Sequence, residues 1–92
     1  MALSKEFILL NKTGLHARPA ANLVKTLNDF KSTSIKFAYN GKVVDGKSFI
    51  SLTSLGAEKN AKITVIVEGP QEQEAIKTIE EMINNKFGEA EE

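Results

Sequence analysis

The chain has 92 residues, with one histidine, no cysteine and twelve Lys and Arg against twelve Asp and Glu. That length predicts one domain, and the composition excludes a disulfide framework, a zinc thiolate site, a thiol nucleophile and a His-rich metal cluster. The zero balance lacks the basic footprint of a nucleic-acid binder, yet it divides into a basic stretch (residues 1–47, eight basic and three acidic groups) and an acidic one (residues 48–92, four and nine).

In chain order, Lys5 to Leu10 is an apolar run of strand length, and Asn11-Lys12-Thr13-Gly14 reads as a loop. From Pro19 the spacing turns helical: Ala20, Leu23, Val24, Leu27 and Phe30 line one face, with Pro19 in the first turn, where a missing N–H does no harm. Ser34 to Tyr39 alternates as a half-buried strand, Asn40-Gly41 is a strong hairpin signal, and Lys42 to Asp45 returns. Ser48 to Leu55 predicts a short helix with Leu52 and Leu55 inward and Gly56 as its stop. Lys62 to Glu68 is a strand with Ile63, Val65 and Val67 on one side. Gly69-Pro70 breaks it, and a last helix is expected from Gln71 to Phe87. The domain is expected to span residues 1–88, with an acidic tail at 89–92 fraying beyond it.

The order β-α-β-β-α-β-α predicts an α+β fold: four mainly antiparallel strands, helices on one face and the other face open to solvent. The first residues lack the basic stretch and apolar run of a signal peptide, and no apolar run is long enough for a bilayer. A cytoplasmic protein without membrane insertion is therefore expected.

Chemistry concentrates at Gly14-Leu15-His16-Ala17-Arg18-Pro19, where the single histidine and the single arginine lie two residues apart at a loop-to-helix junction. A helix start offers unpaired N–H groups and the positive end of the macrodipole, which together favour an anion. Arg18 adds a planar fork that fits phosphate oxygens, Thr13 a hydroxyl, and His16 an imidazole nitrogen that is nucleophilic when neutral. Lys12 and Lys25 are near in sequence, and Lys25 is placed to reach the same side. Such a site can hold a phosphoryl group on His16 and needs no general base if the imidazole is already neutral. Residue types alone leave open a solvated helix cap without chemistry.

Gly14-Leu15-His16-Ala17-Arg18-Pro19-Ala20 resembles the phosphorylation-site motif of the HPr family, the histidine-containing phosphocarriers of the phosphoenolpyruvate-dependent sugar phosphotransferase system. Asn40-Gly41-Lys42, Lys47-Ser48 and Ser54-Leu55-Gly56 resemble further family blocks in the same order, so the likeness covers essentially the whole chain. It implies an open-faced β-sandwich, a four-stranded antiparallel sheet in the order 1-4-2-3 with three helices on one face. It implies that His16 takes a phosphoryl group on Nδ1 from enzyme I and passes it to sugar-specific enzyme II (IIA) components. Arg18 would stabilise that group, and Thr13 and the amides of Ala17 and Arg18 would bind it.

The resemblance further makes Ser48 a second, regulatory site for an HPr kinase/phosphorylase, with a transcriptional regulator as a further partner. It makes Leu15, Ala17, Arg18, Phe49, Ile50 and Thr53 the docking residues. A monomeric carrier rather than a turnover enzyme is expected, with no cofactor and no metal. Gly46, Ser51 and Asn60 depart from residues common in the family. Two other readings stay open: an HPr-like regulator not coupled to sugar uptake, of a nitrogen branch or linked to a kinase, and a plain α/β interaction module.

Overall fold

A computed structural model of the protein describes residues 2–88; the tail expected to fray at 89–92 lies outside the described residues. The elements are β1 (Ala2–Ile8), α1 (Ala17–Leu27), β2 (Ser34–Tyr39), β3 (Lys42–Asp45), α2 (Phe49–Ser54), β4 (Lys62–Glu68) and α3 (Glu72–Asn84), followed by a tight turn at Lys86–Gly88. The sheet runs β1-β4-β2-β3 with every neighbouring pair antiparallel, so the order 1-4-2-3 and the three-helix cover hold.

Alternation fixes which way each strand faces. Ile35 and Phe37 of β2 and Ile63, Val65 and Val67 of β4 are fully buried beneath the helices, while Lys36, Thr64 and Ile66 sit on the opposite, accessible face. Each such buried side chain contributes on the order of 1.5–3 kcal/mol by leaving water. The Asn40-Gly41 turn closes the β2–β3 hairpin with positive φ at both positions, and Tyr39 pairs with Lys42 across it. Gly46 lies against this core. A Cβ there would come within 2.9 Å of the Phe37 ring and 3.0 Å of Ile35 Cγ2, which explains the absence of a side chain at this position.

Element boundaries differ from the sequence reading in all three helices and in β1; in α2 the expected end residues Ser48 and Leu55 are the caps. β1 begins earlier and ends at Ile8, because the backbone beyond it leaves the β4 ladder to bond with the turn at 57–61. α1 starts at Ala17 and ends at Leu27. Phe30 is buried but belongs to the loop, held by a hydrogen bond from its N–H to the Leu27 carbonyl. α3 stops at Asn84 rather than Phe87, because Lys86 and Phe87 both take positive φ. The bend still returns the Phe87 ring to the core, so the apolar stripe continues past the end of the helix.

The helices cover the sheet through matching apolar stripes. Ala20, Leu23 and Leu27 of α1, Leu52 of α2 and Ala75, Ile79 and Ile83 of α3 join one cluster with the buried strand residues. Packing of α1 against both α2 and α3 fixes the direction in which the start of α1 points. Among the described residues no helix is long and apolar enough to cross a membrane.

Candidate functional site

The loop between β1 and α1 is held by bonds to a segment more than forty residues away. Leu9 N–H donates to the Ala61 carbonyl (3.0 Å), Asn60 N–H to Leu9 (2.8 Å), and Leu15 N–H to Ala57 (3.0 Å). Inside the loop, buried Asn11 donates from Nδ2 to the Gly14 carbonyl at 2.8 Å and to Thr13 Oγ1 at 3.4 Å. Gly14 sits at φ +65, and a Cβ there would fall 2.5 Å from both the Ala57 carbonyl oxygen and Glu58 Cα. Only glycine satisfies both the turn and this approach. The loop is therefore a clamped segment, which gives the residue that follows it a defined position.

His16 is the N-cap of α1, with extended backbone (φ −77, ψ −169), and its side chain makes no capping hydrogen bond. Its carbonyl takes the first helical bond from Ala20 N–H at 3.0 Å. The imidazole is left exposed and uncommitted to the fold. Behind it, Ala17 and Arg18 supply first-turn N–H groups that have no intrahelical acceptor, and Pro19 removes the next donor altogether. Arg18 is exposed on the same turn, while Pro19 and Ala20 are buried and anchor it.

A shallow cavity of about 310 Å³ opens beside the imidazole, lined by Lys12, Thr13, His16, Glu58 and Lys59. Lys12 and Thr13 thus share His16's surroundings as the sequence suggests. Lys25 does not: it lines a separate groove of about 640 Å³ between α1 and the end of α3, with Asn22, Thr78 and Met82. The helical turn carries Lys25 to the α3 side. Glu58 and Lys59 are not recognisable as site residues in the sequence. They reach the cavity only through the long-range clamp, and the one local hint is a glycine that permits close backbone approach.

The docking residues divide. Phe49 and Ile50 are exposed, Ile50 by 77%, whereas Leu52 and Leu55 of the same segment are buried. Thr53 is half-buried, and its hydroxyl donates back to the carbonyls of Phe49 (3.1 Å) and Ile50 (3.0 Å). Leu15 is a correction. It is 1% exposed and belongs to the core, because its N–H is bonded to Ala57 and the Gly14 turn directs its side chain inward, so its side chain is not part of the exposed surface. Ser48 caps α2, its Oγ accepting from Ser51 N–H at 3.3 Å. Among the described residues no group of three or more His, Cys, Asp or Glu is arranged to hold a metal.

Comparison with known proteins agrees with this architecture. The family model described as the PTS HPr component phosphorylation site matches residues 3–85. The phosphocarrier protein HPr of Cupriavidus necator is 38% identical over 89 residues, which is 97% of this chain and 99% of that protein. The HPr of Chlamydia muridarum is 39% identical over 87 residues, covering 95% of this chain and 83% of its own. The crystal structure of HPr-C-His from Thermoanaerobacter tengcongensis superposes with a TM-score of 0.91 at 39% identity, covering 97% of this chain and 99% of that one.

Fold, length and relatives together define a phosphocarrier, a small protein that conveys a phosphoryl group between other proteins. The chain belongs to the HPr family of the phosphotransferase system.

Proposed function

We propose that His16 is the residue that carries the phosphoryl group. The observation behind this reading is the exposed imidazole at the start of α1, free of any capping bond and followed by Arg18 on the same turn. In the proposed step the Nδ1 lone pair of neutral His16 attacks phosphorus on phospho-enzyme I. A new N–P bond forms as the donor's bond breaks, and the donor keeps that electron pair. Transfer to an enzyme IIA component repeats the exchange in the opposite sense, so the chain is a substrate of both neighbours and not a turnover enzyme. The phosphoryl oxygens would be received by the Ala17 and Arg18 amides, the Arg18 guanidinium and the Thr13 hydroxyl. Fixed donors at this point stabilise charge in a loose transition state without bonding covalently.

Phe49 and Ile50, with Thr53 beside them, are proposed as the apolar part of the docking surface, because large exposed apolar residues on a short helix suit a protein partner. The basic first half of the chain suits an acidic one. We assign the carrier to the cytoplasm and to the monomeric state.

Incubation with phosphoenolpyruvate and enzyme I should give an acid-labile phosphoprotein modified at one site. Persistent labelling of His16→Ala would overturn the assignment. Arg18→Ala should fold normally and accept the phosphoryl group more slowly; an unchanged rate would remove Arg18 from the step.

A second phosphorylation site at Ser48 is favoured by its position next to Phe49 and Ile50. A phosphate there would keep accepting from the helix start while placing about two negative charges beside the apolar surface. The structural alternative is a plain cap. Acid-stable label from ATP and a cognate kinase supports phosphorylation of Ser48 by that kinase; binding of the labelled chain to a transcriptional regulator would support that further partner. Absence of label, with Ser48→Ala binding partners normally, supports the cap.

A further inference from the structure

The cavity beside His16 has a second wall that comes from a different part of the chain. Its near side is the loop, Lys12 and Thr13; its far side is the turn before β4, Glu58 and Lys59. Both far-wall residues are exposed, so their charged ends are not tied up inside the fold. The clamp through Gly14, Leu15 and Ala57 holds the two walls together, since the Leu15–Ala57 bond and the contact of Gly14 with Glu58 lie at the base of this pair. The charged residues lining the cavity are Lys12, Lys59 and Glu58, with Arg18 on the adjoining turn.

We propose that Lys59 and Glu58 are positioning residues of opposite sign for the phosphoryl group on His16: Lys59 holds its oxygens toward the far wall, and Glu58 keeps that hold from becoming too strong. The inference rests on His16 being the acceptor. A phosphoryl group brings a charge of about −1.5 to −2 at neutral pH and is the largest charge that the cavity would contain. An ammonium across the cavity lowers the energy of the dianion, and a carboxylate raises it. A carrier has to release what it accepts, so a group held only by cations would be retained, and an acid in the same wall offsets part of the attraction. Such a pair adjusts how readily the phosphoryl group leaves without touching the imidazole.

The test uses the full chain and a small donor, so that no partner protein enters. Phosphoramidate transfers its phosphoryl group to the imidazole nitrogen, the new N–P bond replacing the old one as ammonia leaves with the electron pair and a proton from the ring. Phosphorus NMR then follows the last ionisation of the phosphoryl group on wild type, Lys59→Ala, Lys59→Arg and Glu58→Gln. Lys59→Ala should raise the titration midpoint by about 0.4 pH unit and Glu58→Gln should lower it by a similar amount. Lys59→Arg should restore the wild-type midpoint, and about 0.5 M salt should shrink both shifts, responses that a merely structural role would not give. Midpoints within about 0.1 pH unit of wild type in both charge-removing variants overturn this inference alone. A wild-type chain that takes up no phosphoryl group, or a His16→Ala chain that still does, overturns it together with the reading on which it rests.

Discussion

Replacing Gly14 with alanine measures how strongly the site loop is clamped. Two costs combine. The backbone at φ +65 is unfavourable for an L side chain by on the order of 1 kcal/mol. The added Cβ would also lie 2.5 Å from the Ala57 carbonyl oxygen and from Glu58 Cα. Neither of these is a flexible side-chain end, so backbone must move, a cost of roughly 1–3 kcal/mol. The same movement would stretch the 3.0 Å Leu15–Ala57 hydrogen bond, worth about 1 kcal/mol net. The total is about 3–5 kcal/mol, equivalent to a fall in Tm of roughly 15 °C or more for a chain of this size.

Gly56→Ala is the control. Its φ is +68, nearly the same, but nothing lies within 4 Å of the position its new methyl group would take, so only the conformational cost of about 1 kcal/mol applies. Urea unfolding followed by circular dichroism gives both values. If the two variants lose stability within about 0.5 kcal/mol of one another, steric clamping of the loop is refuted.

Other expectations concern the helices and the surface. Leu52→Ala, at a position that is fully buried, should cost about 2–5 kcal/mol in the same unfolding assay, and a loss below about 1 kcal/mol would mean that α2 does not anchor the core. Ser48→Ala removes the cap on α2 and should cost about 1 kcal/mol, while no loss would show the Ser51 bond to be idle. Glu80→Gln breaks the 3.1 Å pair between Lys5 and Glu80, whose side chains are 47% and 40% exposed. Screening should hold its effect below about 0.5 kcal/mol, and a loss above about 1 kcal/mol would contradict that view. Ile50→Asp should change stability by no more than about 0.5 kcal/mol yet weaken binding to enzyme I in a titration; unchanged binding would remove Ile50 from the docking surface.

Elements are legible in the sequence wherever a period or a turn carries the signal. The alternation in Ser34–Tyr39 and Lys62–Glu68 reproduces those strands residue for residue, and Asn40-Gly41 marks the hairpin. Stripes reveal burial better than they reveal ends: Phe30 and Phe87 are buried as their spacing implies, but the chain bends before each, and a stripe contains no record of that bend. Leu15 departs from its expected place because a loop has no period from which to infer direction. The course of its side chain follows from Gly14 and from a bond to Ala57, which local sequence does not display. Glu58 and Lys59 are hidden for the same reason. His16 and Arg18 are legible as a pair because their chemistry lies in neighbouring positions, whereas the opposite wall of the cavity beside His16 is assembled by topology.

The tie between the β1–α1 loop and the turn at 57–61 has a consequence for synthesis. During translation the histidine emerges early, yet the residues that clamp its loop, and the strand β4 that pairs with both β1 and β2, are made some forty to fifty residues later. Such non-local pairings form late because a long loop must close first. The nascent chain therefore exposes His16 before it possesses a site. The loop that holds His16 gains its clamp only once the turn at 57–61 and β4 have been made.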